Sequence, residues 1–320
     1  MNQPELTIVI PNYNGAHLLQ KNLPSVIAAA IAYGENTTII VVDDGSKDNS
    51  IQVLKDKFPQ LKVMPHTVNQ GFSEAVMTGV KAAETELLFL LNSDVELHLD
   101  CLEKLAPYFN HADTFSVCPL MLNEDGSVNR HSWNLRSFKG GYLKLVDWNV
   151  EAAKKLAQNK QLKSLYACGG CMMVRKSMFM ELDGFHPIYK PFYGEDFDLG
   201  IRAWYRGWST YFEPNATLIH QSQGSIKDNV KRAKVKEIRR RNRYYLQFIH
   251  MPVSQLLFCA LPQTLLQLTG ELLTADTKNL KGFISALRGM PAALKVRKQL
   301  KQTQKWTLTD IVQQILACNN

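Results

Sequence analysis

Cysteine, proline and glycine are all scarce in this sequence, whose 320 residues include 6 Cys, 13 Pro and 18 Gly. A small scaffold held by disulfides and a collagen-like fibre are therefore excluded. Hydrophobic residues make up 45% of the chain and charged residues 21%, which excludes a disordered tail. We expect a globular protein with one large core, or one core plus an appendage.

Two common nucleotide-binding fingerprints are missing. No G-x-G-x-x-G pattern follows the first predicted strand, and G-x-x-x-x-G-K-[ST] occurs nowhere in the chain. The dehydrogenase and P-loop NTPase classes therefore lose their main support. The N-terminus also lacks a basic segment and a long apolar run, so we expect no signal peptide and a reducing cytoplasmic compartment.

The motif Cys168-Gly169-Gly170-Cys171 has the spacing of a redox pair. It lacks a second pair that would complete a zinc site, and it precedes an apolar run typical of a strand. We interpret both cysteines as small packing residues.

Acidic residues are scarce in the last third of the chain. Residues 227–320 contain 17 basic and 5 acidic residues, a net charge of +12, whereas residues 1–226 have a net charge of −4. This asymmetry indicates an anionic partner for the C-terminal segment, either a membrane surface or a nucleic acid. The charge is the only argument for a nucleic acid, because no nucleic-acid-binding motif is present, and we expect none to bind.

Residues 244–270 contain no Lys, Arg, Asp or Glu. The stretch is long enough to span a membrane, but Pro252, Pro262 and the basic residues on both flanks favour broken helices in the membrane interface. A helical subdomain packed on the core is the alternative.

Apolar β-branched runs alternate with helical patterns over the first hundred residues, as in βαβ units with a parallel sheet. The pattern predicts strands at residues 6–10, 37–42, 61–64 and 86–91, with helices at 17–33, 50–58 and 72–83. Residues 130–163 show only a weak helix or strand pattern. We interpret them as either an insertion that faces a ligand or an ordinary surface loop. Helices are predicted at 177–182 and 197–206, and two short strands near Thr210 and Leu218.

Four predicted strands end in or lead to polar segments, and ligands of open α/β sheets collect at the carboxyl ends of strands. The segments are Pro11-Asn12-Tyr13-Asn14-Gly15, Asp43-Asp44-Gly45-Ser46, Asn69-Gln70-Gly71 and Asn92-Ser93-Asp94. One alone could be a turn before a helix. Together they predict a nucleoside-diphosphate site with a metal. A carboxylate after the second strand can bind a base or ribose, and a carboxylate after the fourth can hold a cation on the diphosphate.

These segments, with Gly194-Glu195-Asp196-x-Asp198-Leu199, Arg202 and His220, resemble in order and spacing the family 2 glycosyltransferases of GT-A fold. The resemblance covers residues 5–225 and is strongest to the rhamnosyltransferase-like branch of bacterial surface-polysaccharide enzymes. It implies an α/β fold, with a GT-A type nucleotide-binding sheet flanked by helices in residues 1–225. Residues 226–320 would form a helical appendage, basic and apolar, at the membrane interface.

The resemblance also assigns roles. Asp196 is the expected catalytic base, and Glu195 the residue that positions the acceptor. Asp94 and His220 would hold a divalent cation, Mg²⁺ or Mn²⁺, with weaker binding than in the full motif because Asn92 replaces the first carboxylate. The expected nucleotide-sugar-binding residues are Pro11, Asn12, Tyr13, Asp43, Asp44, Asn69, Gly71, Ser93 and Arg202, the last also a candidate to orient carboxylates.

The implied activity is inverting transfer of a hexosyl or deoxyhexosyl group from a nucleotide-diphosphate sugar to a saccharide or lipid-linked saccharide, in cell-surface polysaccharide or glycolipid synthesis. We expect a cytoplasmic protein, peripheral on the inner face of the cell membrane, with an anionic membrane surface as partner. The missing first carboxylate keeps an alternative open, a catalytically inactive, membrane-associated protein that binds nucleotide sugars or serves as a scaffold.

Overall fold

A computed structural model describes residues 3–140, 142–221, 231–273 and 278–319 of the chain. The predicted domain boundary at residue 225 lies outside the described residues.

The first half of the sheet is parallel, as predicted. Its strands lie in the order β3-β2-β1-β4, and the apolar residues of β1, β2 and β4 are buried. Continuous burial explains why these strands are apolar runs and not alternating patterns. The elements are β1 (Leu6–Asn12), α1 (Ala16–Tyr33), β2 (Thr37–Asp43), α2 (Ser50–Lys57), β3 (Lys62–Pro65), α3 (Phe72–Ala82) and β4 (Leu87–Leu91).

The second half of the sheet is mixed. Strand β10 (Cys171–Arg175) lies antiparallel between β4 and β6 (Thr114–Leu122), and β6 pairs in parallel with β11 (Ser209–His220). The two short strands predicted near Thr210 and Leu218 are wrong: they form the single strand β11, whose register shifts between Glu213 and Thr217. A bulge of this kind absorbs extra residues without ending the strand.

The remaining elements of this half include the short strand β5 (Val95–Leu97), which pairs with the end of β11. The others are α4 (Cys101–Leu105) with a 3₁₀ turn (Ala106–Asn110), β7 (Arg136–Lys139), β8 (Tyr142–Leu145), α5 (Val150–Ala157), β9 (Leu162–Lys163), α6 (Lys176–Glu181) and α7 (Glu195–Arg206).

The weakly patterned residues 130–163 form part of the core. Trp133 is buried and its ring stacks on Phe212 of β11 with centroids 5.1 Å apart, and Trp148 lies edge-on to Trp133. Strands β7 and β8 form an antiparallel hairpin beside this cluster. The segment is therefore anchored by its tryptophans, which a periodicity argument does not detect.

The C-terminal region is helical, as predicted. It comprises α8 (Arg232–His250), α9 (Val253–Leu273), α10 (Lys278–Lys301) and α11 (Leu308–Asn319). The break between α8 and α9 falls at Pro252, but α9 continues through Pro262 after a π-helical stretch at Leu256–Ala260.

These helices differ in burial. Leu308, Ile311 and Ile315 of α11 are buried in the same cluster as Trp133, and Asn319 exchanges hydrogen bonds of 2.8 and 2.9 Å with the backbone of Lys163. Helix α11 is therefore packed on the sheet, as the helical-subdomain alternative requires. By contrast, α9 is the one helix within the described residues that is long and apolar enough to cross a membrane, and only 17% of its apolar window is buried.

Candidate active site

Asp43 joins the ends of β1 and β2. Its carboxylate accepts hydrogen bonds from Asn12 Nδ2 at 2.9 Å, from Ser46 N at 3.0 Å and from Ser46 Oγ at 2.7 Å. Asp43 and Asn12 are both buried, so their first effect is to hold the two loops together. Direct contact with a nucleotide sugar stays a prediction for both.

Asp44 orders the loop after β3. Its carboxylate accepts from Gln70 N at 2.8 Å and Gly71 N at 2.7 Å, and it pairs with His66 Nδ1 at 2.7 Å. A carboxylate has about four lone-pair positions, so about one remains for a nucleobase. Gly71, at φ 94°, adopts a backbone conformation that favours glycine.

The other expected nucleotide-sugar residues lie at the same edge. Pro11 lies near the end of β1, Tyr13 follows β1, and Ser93 follows β4; all three are half-buried, whereas Asn69 is exposed. The Ser93 carbonyl accepts from Asn22 Nδ2 at 2.8 Å, which ties this turn to α1. The structure thus brings the four polar segments together, as the parallel strand order requires.

Asp94 and His220 face each other at this edge. The distance from Asp94 Oδ1 to His220 Nε2 is 3.8 Å, too long for a hydrogen bond but suitable for two ligands of one cation. No group of three or more His, Cys, Asp or Glu side chains within the described residues could enclose a metal alone. The pair fits a cation of the Mg²⁺ or Mn²⁺ type, which keeps waters and substrate phosphates among its ligands.

Glu195 and Asp196 begin helix α7. Gly194, at φ 94°, turns the chain into the helix, so Glu195 is buried while Asp196 is partly exposed. Burial, and then the neighbouring Asp196 charge, raises the pKa of Glu195 to about 8, and its Oε2 has no hydrogen-bond partner within the described residues. Glu195 is therefore mostly protonated at neutral pH.

Asp196 is held by two backbone amides, with Phe197 N donating to Oδ1 at 2.8 Å and Gly169 N to Oδ2 at 3.3 Å. Burial raises the pKa of Asp196, although these amides and the charge of Arg136 oppose the shift. Asp196 is a partly exposed residue and the pKa of its carboxyl group is raised, so it is suited to accept a proton.

Gly169 and Gly170 connect the two halves of the site. Gly169 N contacts Asp196, and Gly170 O accepts from Asn92 N at 2.8 Å, so this dipeptide lies between the proposed base and the proposed metal loop. A side chain on Gly170 would collide with the amide of Asn92.

All six cysteines are free thiols, and Cys171 is buried in the core strand β10, in keeping with a packing role.

Arg202 makes its polar contacts within the protein, and its predicted role in binding the nucleotide sugar stays a prediction. The guanidinium is buried, and it donates to Asp198 Oδ2 at 2.6 Å, to Leu182 O at 2.6 Å and to Gly184 O at 2.7 Å. Asp198 lies one helical turn before Arg202, so the close pair is set by the helix. Of its two expected roles, orientation of a carboxylate is the one that this geometry supports.

Asp198 also binds the C-terminal region. His250 Nε2 of α8 lies 2.9 Å from Asp198 Oδ1, and Tyr189 Oη donates to the same oxygen at 3.1 Å. Burial alone would raise the pKa of Asp198, but the Arg202 charge and His250 outweigh it and hold the pKa well below its usual range. Helix α8 is thus attached to the helix that carries Asp196, and the sequence contained no signal for this contact.

Two further residues near Asp196, Arg136 and His131, could not be identified from the sequence because they lie in the weakly patterned residues 130–163. Arg136 donates to Tyr166 Oη at 2.9 Å and lies over the Phe197 ring, 5.2 Å from its centroid. Burial and then the Arg136 charge lower the pKa of His131, while the Asp196 charge opposes the shift. The surroundings of Asp196 are therefore cationic on one side.

Comparison with solved structures defines the class. The fold matches GalNAc-T7, in a structure with UDP, GalNAc and Mn²⁺, with a TM-score of 0.60 at 18% identity over 78% of this chain and about half (48%) of that chain. It also matches the mannosyltransferase PcManGT from Pyrobaculum calidifontis, in complex with GDP-Man and Mn²⁺, with a TM-score of 0.56 at 15% identity over 98% of this chain and 86% of that one. The fold is that of the GT-A glycosyltransferases, as expected.

The family follows from the sequence comparisons. The family model described as Glycosyl transferase family 2 matches residues 7–183, more than half of the chain, so the protein belongs to this family and is a glycosyltransferase. A relative from Mycobacterium tuberculosis, N-acetylglucosaminyl-diphospho-decaprenol L-rhamnosyltransferase, is 24% identical over 242 residues, which cover 69% of this chain and 77% of the relative.

Proposed function

We propose that this protein transfers a sugar from a nucleotide-diphosphate sugar to an acceptor hydroxyl with inversion at the anomeric carbon. The observation that carries the proposal is Asp196, a partly exposed carboxylate whose raised pKa suits a base and which lies across Gly169 and Gly170 from the Asn92–Asp94 turn. A base on one side of the reacting carbon and a leaving group held on the other favour direct displacement, because attack comes from the face opposite the departing diphosphate.

In the proposed reaction, Asp196 accepts the proton of the acceptor hydroxyl as that oxygen attacks the anomeric carbon. The bond from this carbon to the diphosphate oxygen breaks, and the nucleoside diphosphate leaves with the electron pair. Glu195, protonated at neutral pH, adds no second negative charge beside the base. The loops held by Asp43 and Asp44 supply the edge on which the nucleotide lies.

Asp94 and His220 are the residues that would hold the divalent cation. When bound, Mg²⁺ or Mn²⁺ would offset the charge of the leaving diphosphate. The Mn²⁺ in the solved structures of the two fold relatives supports a divalent cation in the proposed reaction.

For the acceptor, we propose a lipid-linked saccharide at the cytoplasmic face of the cell membrane, for cell-surface polysaccharide or glycolipid synthesis. One support is the exposed apolar surface of α9, where Phe258 and Leu266 are 79% and 76% exposed. The other is the name of the mycobacterial relative, which refers to N-acetylglucosaminyl-diphospho-decaprenol. Attachment to the membrane would raise the effective concentration of such an acceptor at the site.

A donor panel tests the proposal. Purified protein is incubated with sugar nucleotides, with and without EDTA, and released nucleoside diphosphate is measured for the native chain and for Asp196→Asn. We expect one donor to be turned over, and the variant to be about 10²–10⁴-fold slower. Asp147→Asn, which changes an exposed carboxylate on the surface, is the matched control and should keep the native rate.

Equal release by the native chain and Asp196→Asn from every donor would refute the base assignment. Binding of an intact sugar nucleotide without turnover under any metal would favour the inactive binding protein instead. The anomeric configuration of the product, read from its NMR coupling constant, tests inversion separately, since a product with the configuration of the donor contradicts it.

A further inference from the structure

A cationic pocket lies between the C-terminal helices and the β7–β8 hairpin. It has a volume of about 240 Å³ and is lined by Arg239, Arg240 and Arg243 of α8 together with polar side chains of α9 and α10. Since one water occupies about 30 Å³ in the liquid, the space suits a group of several atoms. The described residues that line it include no Asp or Glu.

The arginines of this pocket are presented for anion binding. The guanidinium of Arg239 lies 4.3 Å from the ring centroid of Tyr193, and that of Arg243 lies 5.3 Å from the centroid of Tyr142. A guanidinium stacked on an aromatic face keeps its N–H edge available for a phosphate. Both arginines are exposed, and only Arg240 has a carboxylate partner among the described residues, Glu271 at 3.3 Å.

A further donor lines the same pocket. Asn279 of α10 is 3% exposed, and its Nδ2 has no hydrogen-bond partner within the described residues. Its Oδ1 accepts from Tyr244 Oη at 3.3 Å, which orients the amide. A buried N–H group without a partner is costly, and an oxygen-rich ligand would satisfy it.

The pocket lies between the exposed apolar helix α9 and the loop that precedes the proposed base. Thr264 and Gln267 of α9 line it, while the neighbouring Leu265 and Leu266 of the same helix are exposed. On the other side, Arg239 stacks on Tyr193, three residues before Asp196. Asn242 of α8 donates to the carbonyls of Phe192 and Tyr193, which holds α8 against this loop.

From this arrangement we infer that the pocket formed by Arg239, Arg240, Arg243 and Asn279 binds the diphosphate of a lipid diphosphate-linked saccharide acceptor. The lipid would lie along the apolar surface of α9, and the saccharide would extend toward Asp196. The inference rests on the proposed function and adds the chemical class of the acceptor and the residues that recognise it.

The test uses binding of citronellyl diphosphate, a short, water-soluble prenyl diphosphate without a sugar, to the full chain by calorimetry in EDTA. The absence of divalent cation keeps the donor site from competing for the diphosphate. We expect the native chain to bind citronellyl diphosphate and not citronellol. The double variant Arg239→Gln/Arg243→Gln should bind at least about tenfold more weakly, since two charge-assisted contacts are lost.

Arg288→Gln is the matched control, because Arg288 is an exposed arginine of α10 that does not line the pocket. It should bind as the native chain does. Unaltered binding by the double variant, or no binding by the native chain, overturns the inference. If the double variant loses only flotation with phosphatidylglycerol vesicles and keeps citronellyl diphosphate affinity, the arginines bind membrane phosphates and the inference is also wrong.

The donor panel separates this inference from the proposed function. The double variant should bind nucleoside diphosphate in the presence of Mn²⁺ with the native affinity, because both arginines lie on α8 and not at the strand ends proposed to hold the nucleotide. Should no donor be turned over while arginine-dependent binding of citronellyl diphosphate persists, the proposed reaction fails and the diphosphate pocket stands.

Discussion

Replacement of Glu195 by Gln should stabilise the protein at neutral and alkaline pH. The folded chain keeps the Glu195 proton up to about pH 8, whereas the unfolded chain loses it above the ordinary pKa of 4.5. For this carboxyl group the folded pKa is raised, so the native side chain increasingly favours unfolding as pH rises from 4.5 to about 8. Gln carries no such penalty because it does not ionise.

The size of the effect follows from the two pKa values. At about 1.4 kcal/mol for each tenfold change in an ionisation constant, the cost of the native Glu is about 3 kcal/mol at pH 7 and approaches about 5 kcal/mol above pH 8. The charge of Asp196 is the second contributor to this cost. Buried charge at a proposed catalytic pair is an example of stability lost where activity requires an unfavourable environment.

The measurement is the free energy of unfolding in urea, for the native chain and Glu195→Gln, at several pH values between 4 and 9. At pH 4 Glu195 is mostly protonated in both the folded and the unfolded chain, so the difference there measures mainly the constant effect of the amide and is subtracted. The gain in stability of the variant should then grow with pH. A difference that does not change with pH, or that grows in favour of the native chain, refutes the reasoning.

Two further predictions concern the same helix and the proposed metal loop at residues 92–94. Asp198→Asn leaves the buried guanidinium of Arg202 without its counter-charge and should lower the free energy of unfolding at pH 7 by about 3–5 kcal/mol, measured by urea denaturation. Because the folded pKa of Asp198 is depressed, the native advantage should be lost as pH falls below about 4; a variant as stable as the native chain at pH 7 would contradict this assignment. Asp94→Asn should weaken Mn²⁺ binding in the presence of a nucleoside diphosphate by at least about tenfold, followed by the EPR signal of free Mn²⁺. Asp100→Asn, at an exposed carboxylate, is the control, and equal Mn²⁺ affinity in both variants would remove Asp94 from the site.

Much of the first half of the fold could be predicted because its signals are local. The runs that form β1, β2 and β4 are apolar over consecutive residues, and each helix between them follows a polar turn. The second half was predicted less well. Strand β11 passes through Pro214 and a register shift, and residues 130–163 owe their order to Trp133 and Trp148, whose contacts are distant in sequence.

The candidate site shows the same division. The motif around Glu195 and Asp196 could be found from the sequence. The packing that buries Glu195 and leaves Asp196 partly exposed could not. Arg202 illustrates the limit: its spacing from Asp198 predicts a helical pair, yet only the tertiary structure shows that its guanidinium also donates to the carbonyls of Leu182 and Gly184.

The net charge of the C-terminal segment likewise does not show where its basic residues lie. Its +12 indicated an anionic partner, but three of its arginines line one pocket, while His250 is buried against Asp198. The uncharged stretch 244–270 is divided too, because Tyr244, Tyr245 and Phe248 are buried in protein and the exposed apolar residues belong to α9.

By itself, the sequence determined the parallel strands, the polar segments at their ends and the family motifs, since each depends on residues close together in the chain. Only the tertiary structure decided which carboxylates are buried and which arginine is held in an ion pair. It also decided that α11 packs on the sheet and α8 against α10 and Asp198, while α9 is exposed. Burial and pairing set the pKa of a carboxylate and the availability of a guanidinium, and both depend on which distant segments the fold brings into contact.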